Sequence, residues 1–188
     1  ETSGIVLCGK RVEVTTRLKA QFARGEVRKT YLALCEGEPS FEQTVIDLPL
    51  AEGGDVVRIK MRVDRKEGKE AVTEARVERR FRDAEGRPLC LVRCHPRTGR
   101  QHQIRIHLAT LGLPLVGDKI YGADETAFVR FTERALSDDD RARLRLDRHA
   151  LHATRVELPH PMKRTPCVVE SPLPADLAAF LELQPSAC

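Results

Sequence analysis

The chain has 188 residues, 41% of them hydrophobic, which suits one domain of ordinary size with a real core. Its net charge of +4 permits an RNA partner without demanding one, and 4% aromatic residues with no tryptophan argue against an extended stacking platform for single strands. No apolar run reaches the length of a membrane span and no signal peptide opens the chain, so a cytoplasmic protein away from the membrane is expected.

The first apolar run, at 4–8, reads as a strand. Residues 12–23 have helical spacing, with Val14, Leu18 and Phe22 four apart and Gly25 as the stop. Strands are predicted at 27–35 and 44–48. The stretch 56–63 alternates cleanly: Val57, Ile59, Met61 and Val63 face one way, Arg58, Lys60 and Arg62 the other. Residues 71–81 alternate more loosely, with Val77 and Phe81 on one face. A turn at Asp83-Ala84-Glu85-Gly86 leads to a strand at 88–94, completing an antiparallel meander. A helix follows, with Ile104, Leu108 and Leu111 as its apolar stripe and Gly112 at its end. Helices are predicted at 128–135 and 138–146, the second capped by Ser137 with three aspartates in its first turn. The charged stretch 123–148 reads as a peripheral helical insert. A strand at 151–158 and a short helix at 175–183 close the chain. Antiparallel and mixed strands with flanking helices predict an α+β class.

Six cysteines raise the question of metal. Cys90 and Cys94 flank an apolar run, and four strand residues span about 13 Å. Two thiolates each about 2.3 Å from one zinc ion cannot lie so far apart. Cys8, Cys35, Cys167 and Cys188 are solitary in sequence. Free thiols in a reducing compartment, mostly buried, are expected, with no metal. His102 and His107 stand about 140° apart around a helix and share no face.

The most informative segment is His95-Pro96-Arg97-Thr98-Gly99-Arg100-Gln101-His102-Gln103-Ile104-Arg105-Ile106-His107, running on to Val116-Gly117-Asp118-Lys119-Ile120-Tyr121-Gly122. It gathers arginine, histidine and amide donors around a glycine turn. Thr98 and Gln101 fit a Thr-x-x-Gln capping box, and the helix amides that follow would form an anion site with Arg97 and Arg100. That chemistry points to a polyanion.

These residues closely resemble the signature of the RluA-type pseudouridine synthases. Three further stretches agree in order: Thr30-Tyr31-Leu32-Ala33-Leu34-Cys35-Glu36-Gly37, Leu151-His152-Ala153 with Pro159-His160-Pro161, and Thr2-Ser3-Gly4. The resemblance implies one catalytic domain over 1–188, built on a long, mostly antiparallel sheet. It implies isomerisation of uridine to pseudouridine in structured RNA, with large-subunit ribosomal RNA the first choice. No cofactor or metal is needed. By the same resemblance Arg100 pairs with the nucleophilic aspartate, Tyr31 packs against the target base, and Ile104 is the aliphatic active-site residue. The aspartate itself would precede Glu1 by two residues, so this stretch alone is expected to fold but not to turn over.

For RNA binding the sequence nominates the basic stripe Arg58, Lys60 and Arg62, together with Arg97, His102, Gln103 and Arg105. RNA is the expected partner of a monomer. A synthase acting on transfer RNA and a non-catalytic RNA-binding module are the alternatives. A charge run is also often only a solvated face.

Overall fold

Strands pair with segments distant in the chain as well as with their chain neighbours, and the distant pairings decide where the site forms. The computed structural model describes residues 1–54 and 56–183; Asp55 and Cys188 lie outside them. In chain order the elements are β1 (Ser3–Gly4), α1 (Val12–Ala23), β2 (Arg28–Glu36), β3 (Gln43–Asp47), β4 (Leu50–Glu52), β5 (Met61–Val63), β6 (Val72–Arg82), β7 (Pro88–Pro96), α2 (Gln103–Thr110), α3 (Thr126–Thr132), α4 (Asp138–Leu144), β8 (Leu151–Pro159), β9 (Pro166–Glu170) and α5 (Ala175–Glu182). The main sheet runs β1-β8-β2-β7-β6-β3, with β9 also paired to β8, and only the two-residue β1 is parallel. A separate hairpin joins β4 and β5. The class is α+β with a mostly antiparallel sheet, as expected.

Strand alternation splits the core between the two faces of the sheet. On β7, Cys90, Val92 and Cys94 pack with Ile104 and Leu108 of α2. Leu89 and Leu91 point the other way, toward Leu177 and Phe180 of α5. On β2, Ala33 and Cys35 join the α2 side, with Tyr31 packed at its margin, while Leu34 joins the α5 side. Tyr31 is therefore carried on the face that meets α2.

Several expectations are corrected here. The stretch 56–63 is not one strand: Lys60 N–H closes a turn on Val57 O, and only Met61–Val63 pairs, with Leu50–Glu52. Its basic stripe dissolves with it, because Lys60 pairs with Glu125 and Arg62 with Asp64. Val77 and Phe81 do not share a face. An extra residue, Glu78, bulges β6 between Val77 and Arg79 and reverses the parity of the strand. Phe81 then falls opposite Leu89, on the α5 side. The predicted strand at 4–8 shrinks to Ser3–Gly4, since Ile5 and Leu7 turn onto a small cluster with Val156 and Leu158. Strand β9 and strand β4 have too few alternating residues to be predicted. Helix α1 keeps its predicted limits, but its inward stripe ends on Gln21, and Phe22 is left 44% exposed.

The five cysteines among the described residues are free, although Cys8 is exposed and Cys35 is not isolated. Cys35 lies directly across from Cys90 on the neighbouring strand, both fully buried. Burial pushes the thiols of Cys35 and Cys94 up, to about 12 for Cys94, which keeps them protonated. No helix among the described residues is long and apolar enough to cross a membrane.

Leu108 is fully buried and ties α2 to the sheet. Leu108→Ala should lower unfolding free energy by about 2–5 kcal/mol, read as a fall in denaturant midpoint at constant slope. A change below about 0.5 kcal/mol, the range of an ordinary surface substitution, would show that α2 is not anchored by this core.

Candidate active site

The loop between β7 and α2 is built by one buried amide. Gln103 Nε2 donates to Val72 O and to Thr73 Oγ1, and its Oε1 accepts from Thr98 Oγ1 and from the Arg100 backbone N–H. The predicted capping box at Thr98 and Gln101 does not form. Thr98 instead accepts the Val72 N–H, and the helix begins at Gln103 after a left-handed residue, His102, at φ 55°. The anion site predicted at capped helix amides is likewise absent, and Arg97 is exposed on a salt bridge with Glu74.

The network continues inward. Thr73 Oγ1 meets His107 Nδ1 at 2.9 Å, and His107 Nε2 meets Leu48 O at 3.0 Å. A carbonyl can only accept, so His107 carries its proton on Nε2 and accepts from Thr73 on Nδ1. Burial holds its pKa below the ordinary value, so it is neutral.

A second group fixes the other side. Arg105 forms a two-armed pair with Asp118, Nε to Oδ2 at 2.8 Å and Nη2 to Oδ1 at 2.7 Å, in side chains 8% and 0% exposed. Burial raises the Asp118 pKa, but the Arg105 contacts outweigh it and the net shift is downward. Asp118 Oδ1 also accepts the amides of Ile120 and Tyr121, which sets the turn that carries Tyr121. The Arg105 guanidinium lies 5.1 Å from the Tyr121 ring centre. Tyr121 Oη accepts the Met61 amide at 2.8 Å and lies 3.0 Å from His102 Nδ1. Burial brings the His102 pKa down to about 4.

These groups enclose a cavity of about 580 Å³, lined among others by Tyr31, Arg100, His102, Gln103, Ile104 and Arg105. Tyr31 and Arg100 thus share one cavity. Arg100 sits at its rim: it is exposed, and its Nε donates to Glu70 O at 2.9 Å. The buried cation is Arg105, which the sequence assigned to RNA contact. Arg58, Lys60, Arg62 and Arg97 lie outside the cavity lining. Glu1, Phe22, Lys29 and His149 also line it, none of them nominated as a site residue from the sequence. Lys29 alone could have been found, as the residue two before Tyr31 on a strand. At the far wall, Glu1 bonds Lys119 and His149; burial raises its pKa, but these partners bring it to about 2. A second cavity, of about 570 Å³, borders α3 and α4, but Arg145 and Asp176 in its lining already pair with Asp83 and Arg148. Among the described residues, no group of three or more His, Cys, Asp or Glu could hold a metal ion.

A family model described as RNA pseudouridylate synthase matches residues 1–110. This chain belongs to the RNA pseudouridylate synthase family. It is 37% identical over 182 residues to the ribosomal large subunit pseudouridine synthase D of Nitrosomonas europaea, covering 97% of this chain and 48% of that protein. It is 36% identical over 189 residues to the protein of the same name from Pseudomonas aeruginosa, covering 97% of this chain and 53% of that one. The chain therefore spans about half the length of these relatives. Among solved structures, human RNA Pseudouridylate Synthase Domain Containing 1 superposes with a TM-score of 0.72 at 25% identity, covering 95% of this chain and 67% of that one.

Two measurements test the geometry of this family member. Asp118→Asn should cost about 3–5 kcal/mol in denaturant unfolding, because it leaves the Arg105 charge buried without its partner. His102 has a folded pKa of about 4 against 6.5 for the free side chain, so the unfolded chain binds the extra proton first. Its contribution to stability is complete above about pH 6.5 and declines as pH falls toward 4. His102→Asn should flatten that part of the stability–pH profile; an unchanged slope would mean that His102 titrates normally in the fold.

Proposed function

We propose that this chain is the catalytic domain of an RNA pseudouridine synthase acting on structured RNA, with large-subunit ribosomal RNA as its substrate. One observation carries the reading: in a member of this family, Tyr31, Ile104 and Arg105, the last held by the buried Asp118, line one cavity. Reaching a stacked uridine requires flipping it out, at a cost of a few kcal/mol, and a pre-formed hollow offsets that cost. The large-subunit substrate is supported by the names of the Nitrosomonas and Pseudomonas relatives.

The reaction breaks the glycosidic bond between C1′ and N1 of uridine, turns the uracil in place and joins C5 to C1′. The family resemblance assigns the nucleophile to an aspartate. The residues present supply the surroundings. Burial raises the Tyr31 pKa, so its ring meets the base with a protonated hydroxyl at neutral pH. Ile104 gives an apolar floor. Arg105 is a cation whose position is fixed by Asp118, suited to orient a carboxylate or a uracil oxygen without moving. In this reading Arg105, not Arg100, is the basic group of the reaction centre. Arg58, Arg97 and Arg100 are exposed toward RNA backbone, where contacts are mostly phosphate and blind to sequence. The protein acts as a cytoplasmic monomer without a cofactor.

Pseudouridine mapping of RNA from cells lacking the gene tests this. At least one large-subunit site should disappear and return with the wild-type gene. Genes carrying Tyr31→Phe or Arg105→Lys should fail to restore it while yielding folded protein. Loss confined to transfer RNA would reassign the substrate, and an unchanged map in both RNAs would end the enzymatic reading.

A further inference from the structure

The mouth of the cavity holds two cations that no carboxylate among the described residues neutralises. Lys29 is half-buried on β2, two residues before Tyr31 and therefore on the same face of the strand. Its Nζ donates to Thr98 O at 3.0 Å. Arg100 donates through Nε to another neutral acceptor, Glu70 O. Among the described residues neither makes an ion pair. Their neighbours do: Arg97 is matched by Glu74 and Arg93 by Glu78. Glu1, the one acidic side chain among the described residues that line this cavity, is committed to Lys119 and His149.

This arrangement is costly as it stands. Burial of a charged amine without a counter-ion is unfavourable, and desolvation accordingly lowers the Lys29 pKa. The donors left over are well placed. An ammonium has three donors and Lys29 uses one; a guanidinium has five and the Arg100 side chain uses its Nε–H. Between the two stands Gly99, where an added Cβ would lie 3.7 Å from Lys29 Nζ. A side chain there would occupy the space in front of the ammonium, which the glycine leaves open.

We propose that Lys29 and Arg100 form a phosphate clamp at the cavity mouth, gripping a backbone phosphodiester next to the uridine that the cavity accepts. This rests on the nucleotide-pocket reading above and adds the group that positions the nucleotide. A phosphodiester fits better than a protein carboxylate, because it brings two anionic oxygens on a chain that must also deliver a base into the same cavity. The clamp holds the sugar–phosphate while the base enters. Lys29 and Arg100 are positioning residues in this scheme, and they touch none of the bonds that change.

The test is a set of double-mutant cycles on binding, made with this chain and short RNA oligonucleotides containing the target uridine. One neutral methylphosphonate replaces the phosphate either 5′ or 3′ of that uridine. Against wild-type protein, the substitution at the clamped position should weaken binding about tenfold, the order expected for a charged contact at a partly exposed site. Lys29→Met should weaken binding to unmodified RNA by a similar factor, and the two losses should not multiply. At the other flanking phosphate they should multiply. Lys29→Arg should restore affinity and the coupling, and Arg100→Met should repeat the Lys29→Met pattern, so a folding defect in one variant leaves the other to decide. Losses that multiply at both phosphates, or wild-type affinity in both Met variants, would overturn the clamp. An oligonucleotide with an abasic site in place of the uridine separates the two ideas. If it binds more weakly than the parent while neither methylphosphonate matters, the pocket stands and the clamp falls; if removing the base changes nothing, the pocket reading falls and the clamp with it.

Discussion

The buried pair between Arg105 and Asp118 is the interaction on which the site depends. Each ion alone would be prohibitive at such depth, and the two-armed geometry with two further amides on Asp118 is what makes it tolerable. The pair joins α2 to the turn that follows it. That turn presents Tyr121 to His102 and to Met61, so the helix, the loop before it and the β4–β5 hairpin are all referred to one carboxylate. Well-packed apolar residues in place of a buried ion pair often leave a fold as stable or more so. Here they would not leave a fixed cation facing the cavity.

The second constraint is the relay from Gln103 through Thr73 and His107 to Leu48 O. Every member has its partners, which is the condition under which a buried polar network adds rigidity rather than cost. It fastens the glycine-bearing loop to β6 at one end and to the end of β3 at the other. The loop needs this, because its helix starts without a side-chain cap and with His102 in a left-handed conformation that few side chains adopt. Strain at that residue is tolerated because Tyr121 and Gln103 hold both sides of it.

The electrostatics of the cavity follow from these anchors. His102 is neutral above about pH 4 and Tyr31 keeps its proton, so neither adds charge. Arg105 is balanced by Asp118 and Glu1 by its cationic partners. What remains positive is the rim, at Lys29 and Arg100, while the interior is electrically quiet. A flipped base, uncharged and flat, suits the interior. The strand it hangs from suits the rim.

The sequence by itself determined the class of fold, the limits of α1, the Asp83–Gly86 turn, the Ser137 cap and the segment from His95 to Gly122 as the place to look. These depend on contacts a few residues apart: alternation, capping hydroxyls and glycines with positive φ such as Gly86 and Gly112. It also brought Tyr31, Arg100 and Ile104 forward, through their resemblance to a known family. The tertiary structure alone decided which arginine is buried. Arg105 lies off the apolar stripe of α2 and is nominated from the sequence for RNA contact, yet residues 103–108 are all buried, because the turn bearing Ile120 and Tyr121 packs over that side. It alone placed Glu78 in a bulge that turns Phe81 to the opposite face, and broke the stripe at 56–63 into a turn and a short hairpin. The reason is the same in each case. Burial and charge pairing are set by segments far apart in the chain, such as Lys60 with Glu125 or Gln103 with Thr73, and a local pattern carries no record of what will be packed against it.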